Sequence, residues 1–286
     1  MKKTSVKLSE VTTYKFGGFC HNFFEINSLK QLENIGFDTR DKDLLILGKG
    51  SNIVFSDAGY EGTIIKPDFN FIELNIEKNI LSLGASAYLP DIARFSKDNS
   101  ISGLEWLIGI PGSVGGAVHM NAGAYGYEFS DHIKSVTFYN FETNKIESES
   151  KDFFEFSYRT AKNLNNKMVV SVDFIVEKGD PIVIQSQISE YLNRRKKTQP
   201  PAIYNAGSVF KNPKNGSAGY LIEKAGLKGF SIGGVEVSQK HANFFVAQKD
   251  SKAQSLYELV KYVKGIVHQK FDISLTEEII FAGKFN

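Results

Sequence analysis

Three stretches of this 286-residue chain carry residue types and spacings suited to chemistry. The first is LGKGSN, an apolar run that ends in Gly48, Lys49, Gly50, Ser51 and Asn52. Glycine lets a backbone approach a ligand closely, so such a loop can present N–H groups and a hydroxyl to a phosphate. It is not a P-loop, which needs a glycine five residues before the Gly-Lys pair and a Ser or Thr after it. It is not a Rossmann fingerprint either, which would place a third glycine at Ile53. Taken alone, the loop is better read as an ordinary turn between strands. The second stretch, GIPGSVGGAVHMNAGAYG, has six glycines between Gly109 and Gly126. Its density of small side chains argues against a packed helix or a regular strand, and for backbone that passes close to something large, flat or multiply charged. Two such loops together favour a dinucleotide held by a scaffold other than the Rossmann type. The third stretch is AGSVFKNP, where Ser208 has no base nearby and reads locally as a turn or helix cap. The basic run Arg194 to Lys197 suits either a phosphate or a solvated helix end, where cations complement the dipole. No histidine–carboxylate cluster has metal-ligand spacing, so no metal is expected.

The elements around these stretches are legible from periodicity. Short β-rich runs occur at Asp43–Leu47, Ile53–Phe55 and Thr63–Ile65, separated by turn formers. Alternation on both sides of Glu77-Lys78-Asn79 predicts a hairpin, and SVTFYNFETNKIESES predicts another. LPDIARFSKDNS reads as a short helix with Leu89, Ile92, Ala93 and Phe95 inward. KMVVSVDFIVEKGD reads as a strand. Pro181 suits a first helical turn, and Ile184, Ile188, Tyr191 and Leu192 then share a face. A domain connection is expected where this helix ends in its basic run and Pro200-Pro201. A short strand around Ser208, a helix at Ala218–Ala225 and a strand at Asn243–Ala247 follow. A long helix with Leu256, Leu259, Val260, Val263 and Val267 on one face and a terminal strand, Glu278–Ala282, complete an α+β pattern.

Composition bounds the function. Hydrophobic residues make up 42% and charged residues 23%, as in ordinary globular chains. A net charge of +2 argues against a nucleic-acid partner. The lone Cys20 excludes a disulfide framework and a multi-cysteine metal site. The start MKKTSVKLSEV lacks the apolar core of a signal peptide, and no stretch reaches membrane-span length. The expectation is a cytoplasmic protein without membrane insertion.

GKGSN followed by SGLEWLIGIPGSVGGAVHMNAGAYG strongly resembles the UDP-N-acetylenolpyruvoylglucosamine reductases. The resemblance continues in family order through TTYKFGG, FSYRTAK, NRRKKTQPP, AGSVFKNP, AGLKGFSIGGVEVSQKHANFFV and EEIIFAG, and so covers nearly the whole chain. It implies an FAD-binding fold of the vanillyl-alcohol-oxidase (PCMH) type in two subdomains, residues 1–67 and 68–180. A C-terminal α+β substrate-binding domain, 181–286, would follow, its last strand returning toward the active site. It implies NADPH as reductant and UDP-N-acetylglucosamine enolpyruvate as substrate, in peptidoglycan precursor synthesis. A monomer is expected.

By the same resemblance, Gly48 to Asn52, Pro111, Gly112, Ser113, Gly115, Gly116 and Ala117 hold the FAD pyrophosphate, with Asn121, Ala122, Gly123 and Ala124 close by. The first loop lacks the histidine that carries covalent flavin in oxidases of this fold, so the FAD is expected to be non-covalent. Reduction of the enolpyruvyl group needs a stabiliser for charge that develops toward its carboxylate, and an acid for its α-carbon. Arg159, Ser208 and Glu278 match the family's catalytic residues, with Ser208 as the proton donor. Glu278 would be protonated or sharing a proton, its pKa raised by burial and by the developing charge. Tyr158, Arg195, Lys211, Asn212, Lys240, His241 and Asn243 fall on the implied substrate side. Strand alternation would put Asn212 on the Ser208 face and Lys211 on the other.

Two departures stand out. Ile280 occupies the place of an arginine in many members. The short interval between Arg159 and Ser208 matches the compact type II form, without the inserted domain of the longer subfamily. Two other readings remain: another flavin oxidase of this fold, which would not need the Arg159, Ser208 and Glu278 set, and a non-catalytic nucleotide-binding relative, which would be redox-silent.

Overall fold

The computed structural model of the chain describes residues 2–3, 5–35, 43–214 and 216–286. It divides into two compact units: Met1–Lys3, Asn22–Lys49 and Gly62–Arg195 in one, Thr4–His21, Gly50–Glu61 and Lys196–Asn286 in the other. The units are interleaved along the chain, whereas the sequence suggests three consecutive parts. In the second unit the early strand Ile53–Phe55 pairs in parallel with the terminal strand Ile280–Ala282, Ile53 opposite Ile280. Periodicity marks both strands but cannot reveal such a distant partner. The boundary expected at the basic run lies there, between Arg195 and Lys196.

The first unit is built on an antiparallel sheet in the order Lys145–Ser150, Ile133–Asn140, Lys167–Ile175, Ile80–Gly84, Ile72–Asn75. Both expected hairpins are present in it. The central strand Lys167–Ile175 serves two cores. Val172 and Phe174 pack with Leu81, Trp106 and Phe129, while Met168 and Val170 pack with Ile26, Ile65 and Phe141. A register shift between Thr137 and Phe138 lets Val169 join Val172 on one face, where strict alternation would put them on opposite faces. Helix Leu89–Asp98 buries Leu89, Ile92 and Ala93 as expected, with Pro90 in its first turn; Phe95 is only half-buried. On helix Pro181–Thr198, Ile184 and Ile188 are buried but Leu192 is 45% exposed, so the apolar face is narrower than its periodicity suggests.

The glycine-rich stretch departs most from expectation, because Val114–Met120 is a helix. Its start is held by the neighbouring protein backbone. A Cβ on Gly115 would meet Ala85 Cβ and O at 3.4 Å. The Gly115 and Val114 N–H groups donate to the Ala85 and Ala87 carbonyls. Tertiary contact thus overrides poor helix propensity.

In the second unit, helix Ala253–Phe271 buries Leu256, Leu259, Val260, Val263 and Val267 with Val235, Val237 and Phe245 of a three-stranded antiparallel sheet. The Asp57 carboxylate accepts from Ala253 N and Gln254 N (both 3.1 Å), satisfying donors that a helix start leaves unpaired. Tyr14, from the TTYKFGG stretch, is buried and donates to Phe245 O at 2.8 Å. No described helix is long and apolar enough to cross a membrane.

Candidate functional site

Within the first unit, Gly48 follows the buried Leu47, whose N–H donates to Ile65 O. Ser113 is 2% exposed, and its Oγ is buried without a hydrogen-bond partner. A Cβ on Gly48 would lie 2.5 Å from that Oγ, so only glycine fits there. Both residues line a recess of ≈ 140 Å³ together with Lys49, Lys66, Glu25 and Asp68. That is room for about four or five waters, or one phosphate-sized polar group. An orphaned buried hydroxyl, a glycine cradle and two lysines suit the pyrophosphate of a dinucleotide. Gly48, Lys49 and Ser113 of the expected FAD set are thus brought to one recess, where the carboxylates of Glu25 and Asp68 offset the two lysines.

Other members of that set have different roles. Asn121 is fully buried in the left-handed conformation (φ 41°) and ends helix Val114–Met120. Its Nδ2 donates to Glu128 Oε2 (2.8 Å) and Ser157 O (3.1 Å), and its Oδ1 accepts from Ser130 N. Its amide is thus engaged inside the protein. Asn121 and Gly123 instead carry Arg159, whose Nη2 donates to Gly123 O (2.8 Å) and Nη1 to Asn121 O (3.4 Å). A Cβ on Gly123 would come within 2.6 Å of Tyr127 O and 3.1 Å of Arg159 Nη1, which explains that glycine without a ligand. Arg159 is itself left-handed (φ 53°), half-buried, and stacked 5.0 Å over the ring of its exposed neighbour Tyr158. Ala122 and Ala124 pack against the core of this unit.

Arg195, expected on the substrate side, has a partner within the first unit. It is half-buried and donates to Gly109 O, which fixes the start of the glycine-rich stretch, and burial pulls its pKa down. Arg194 lies 5.3 Å over the Tyr125 ring. Tyr125 stacks on Tyr191 (4.4 Å) and donates to Tyr191 O. Burial raises the Tyr125 pKa, against the pull of Arg195 and Arg194. Sequence reasoning overlooked this cluster. Its signal was Tyr125 itself, a large ring between Ala124 and Gly126.

Within the second unit, Asn52 also differs from expectation. Its Nδ2 donates to Glu278 O at 3.0 Å, so it anchors the segment that carries the glutamate. Gly50 (φ 66°) is required because a Cβ would sit 2.1 Å from Val11 O. Ser208 is half-buried and lies in no regular strand; it forms an isolated bridge with Phe244, as Phe210 does with Glu277. Both neighbours hold this segment through backbone bonds: Val209 N to Asn243 O, Glu278 N to Val209 O, Lys211 N to Thr276 O, each 2.8 Å. Ser208 and Glu278 are thereby brought to adjacent segments. Glu278 is half-buried, while Glu277 pairs with Lys264. Ile280 is 42% exposed on the terminal strand.

The expected substrate contacts divide. Lys211 is half-buried beside this segment, while Asn212 is exposed and its Oδ1 accepts from Ala218 N at the start of helix Ala218–Lys224. Lys240 donates to Lys196 O (2.7 Å). His241 accepts at Nδ1 from Asn243 N (3.3 Å) and packs edge-on to Phe244, and burial lowers its pKa. Asn243 is 3% exposed, and its amide accepts from Phe210 N and donates to Phe210 O. Among the described residues, no group of three or more His, Cys, Asp or Glu is arranged to hold a metal.

Comparison with known proteins matches this geometry. Residues 199–282 match the UDP-N-acetylenolpyruvoylglucosamine reductase C-terminal domain, and residues 37–147 match an FAD binding domain. The chain is 36% identical to the UDP-N-acetylenolpyruvoylglucosamine reductase of Desulforamulus reducens, over 99% of this chain and 95% of that protein. It is 38% identical to that of Caldicellulosiruptor bescii, over 97% and 90%. The crystal structure of UDP-N-acetylenolpyruvylglucosamine reductase (MurB) from Thermus caldophilus superposes with a TM-score of 0.86 at 28% identity, covering 99% of this chain and all of that one.

Proposed function

The chain belongs to the UDP-N-acetylenolpyruvoylglucosamine reductase family, and from that premise we infer its reaction and the residues that perform it. It is a flavoenzyme of peptidoglycan precursor synthesis. With FAD and NADPH it reduces UDP-N-acetylglucosamine enolpyruvate to UDP-N-acetylmuramate. When bound, FAD would supply hydride transfer between NADPH and the methylene carbon of the enolpyruvyl group.

Gly48, Lys49 and Ser113 are proposed to receive the FAD pyrophosphate, which the orphaned Ser113 hydroxyl supports. Gly50, Ser51, Pro111, Gly112, Gly115, Gly116 and Ala117 remain proposed cofactor residues. No covalent link is proposed. The flavin side is proposed to lie mainly in the first unit, Asn22–Lys49 and Gly62–Arg195, and the substrate side mainly in the second, Lys196–Asn286.

Hydride addition moves negative charge into the adjacent carboxylate. Arg159, held by two carbonyls, is assigned to that carboxylate, where a planar fork matches two oxygens. Ser208 gives its proton to the α-carbon. A hydroxyl is a weak acid, so fixed placement must compensate. The observation that carries this assignment is the segment Ser208–Phe210, held by backbone bonds from Asn243 on one side and Glu278 on the other. Glu278 acts in a protonated or proton-sharing state, because a bare carboxylate beside the developing charge would repel it. Lys211, Tyr158 and Asn212 remain proposed substrate contacts. A monomer working in the cytoplasm, where NADPH and UDP-linked sugars are found, is proposed.

The deciding experiment is anaerobic and has two stages. NADPH should bleach the flavin, and enolpyruvyl-UDP-N-acetylglucosamine should then restore its colour. Failure to bleach, or bleaching reversed only by oxygen, overturns the assignment.

A further inference from the structure

We propose that Asn243 is a positioning residue for Ser208, acting through the Phe210 peptide; the inference rests on the reaction assigned above. Asn243 Oδ1 accepts from Phe210 N (3.0 Å) and Nδ2 donates to Phe210 O (2.8 Å), so one side chain satisfies both polar groups of a single residue. Its own carbonyl accepts from Val209 N at 2.8 Å. The side chain is 3% exposed and completes the hydrogen bonding that a strand neighbour would otherwise supply. The Phe210 ring is buried against Phe245, 5.9 Å between centroids. With ring and peptide both held, the run from Ser208 to Phe210 has one backbone path, and the hydroxyl has a fixed origin. A weak acid depends on such placement, since misplacement by about 1 Å can cost on the order of 100-fold in rate.

The clasp needs one donor and one acceptor, which gives a specific test in Asn243→Asp. When ionised, the substituted carboxylate offers two acceptors and faces the Phe210 carbonyl with the wrong one. When protonated, it offers O–H and C=O, as the amide does. In this variant the clasp should therefore return as pH falls. Other titratable groups on the elements packed around it are His241 and Lys240 on its own turn, Glu223 on the neighbouring helix, Lys228, Lys211, Glu277 and Glu278. All are shared with the wild type, so the readout is the ratio of variant to wild type at each pH.

The experiment uses the FAD-loaded full chain and follows both half-reactions anaerobically from pH 5 to 8. The expected result for Asn243→Asp at pH 8 is reoxidation by substrate slowed roughly 10- to 100-fold, mainly in kcat. Its ratio to wild type should recover at least about tenfold toward pH 5, in line with restored placement. Reduction by NADPH should stay within about twofold throughout. Asn243→Ser, neutral and smaller, should slow reoxidation with no recovery in acid, and it serves if the Asp variant does not fold. Unchanged reoxidation in both variants, a flat ratio in the Asp variant, or equal slowing of both half-reactions overturns the role. A wild-type enzyme that substrate cannot reoxidise overturns the reaction itself, and this role with it.

Discussion

Lys264 Nζ lies 2.7 and 2.9 Å from the two carboxylate oxygens of Glu277, which ties the first of two adjacent glutamates to helix Ala253–Phe271. The backbone bends after Glu277, and Glu278 N and Ile279 N both donate to Val209 O (2.8 and 3.4 Å), which holds Glu278 beside the Ser208 segment. The two carboxylates are chemically alike and are separated by placement alone.

Exchanging each for its amide should distinguish them. Glu277→Gln breaks a half-exposed pair worth about 0.2–1 kcal/mol and should leave both half-reactions within about twofold. Glu278→Gln should leave flavin reduction by NADPH intact and slow reoxidation by substrate at least about 100-fold, in the range of general acid–base contributions. Stopped-flow absorbance of the flavin reads both stages.

The Gly48–Ser113 cradle predicts loss of cofactor on a very small change. Gly48→Ala places a methyl 2.5 Å from Ser113 Oγ, inside contact distance, and should yield protein purified largely free of flavin. Ser113→Ala removes one hydrogen-bond donor without adding bulk. It should weaken FAD binding about tenfold, as expected for about 1.4 kcal/mol. Titration of apoprotein with FAD checks both, and flavin still attached after denaturation would contradict non-covalent binding.

Ser208→Ala should reduce its flavin with NADPH at close to the wild-type rate and fail to reoxidise it with substrate. A solvent deuterium effect present in wild-type reoxidation should be absent from reduction. Equal slowing of the two stages would mark Ser208 as structural.

Acid stability should reflect His132 and His241, whose pKa values burial lowers. The unfolded chain binds protons at these sites from about pH 6.5 downward, before the folded chain does. Stability held above that pH is therefore lost as pH falls through the unfolded and then the folded values. Glu105 has the opposite sign. Burial raises its pKa, so its contribution is fullest below the ordinary carboxylate range and is lost as pH rises through its folded value. His132→Leu should flatten the fall of Tm between pH 6.5 and 5, measured by thermal unfolding against wild type.

Much of the architecture was legible in local pattern. Alternation marked the hairpins, and the stripe from Leu256 to Val267 marked the long helix, because burial on one face imposes a period that needs no knowledge of the partner. The ordered motifs identified the family and, through it, Arg159, Ser208 and Glu278. Tertiary structure decided what each polar residue touches. Gly123 looked like room for a cofactor, yet a Cβ there would press on Tyr127 O and on Arg159 Nη1. Asn121, Asn52 and Asn243 read in sequence as ligand contacts, and in the fold their side chains bond the segments that carry Arg159, Glu278 and Ser208. A glycine or an amide is the same in sequence whether it faces a ligand or a neighbouring backbone. Only the fold determines which atoms, distant along the chain, lie within 3 Å of it.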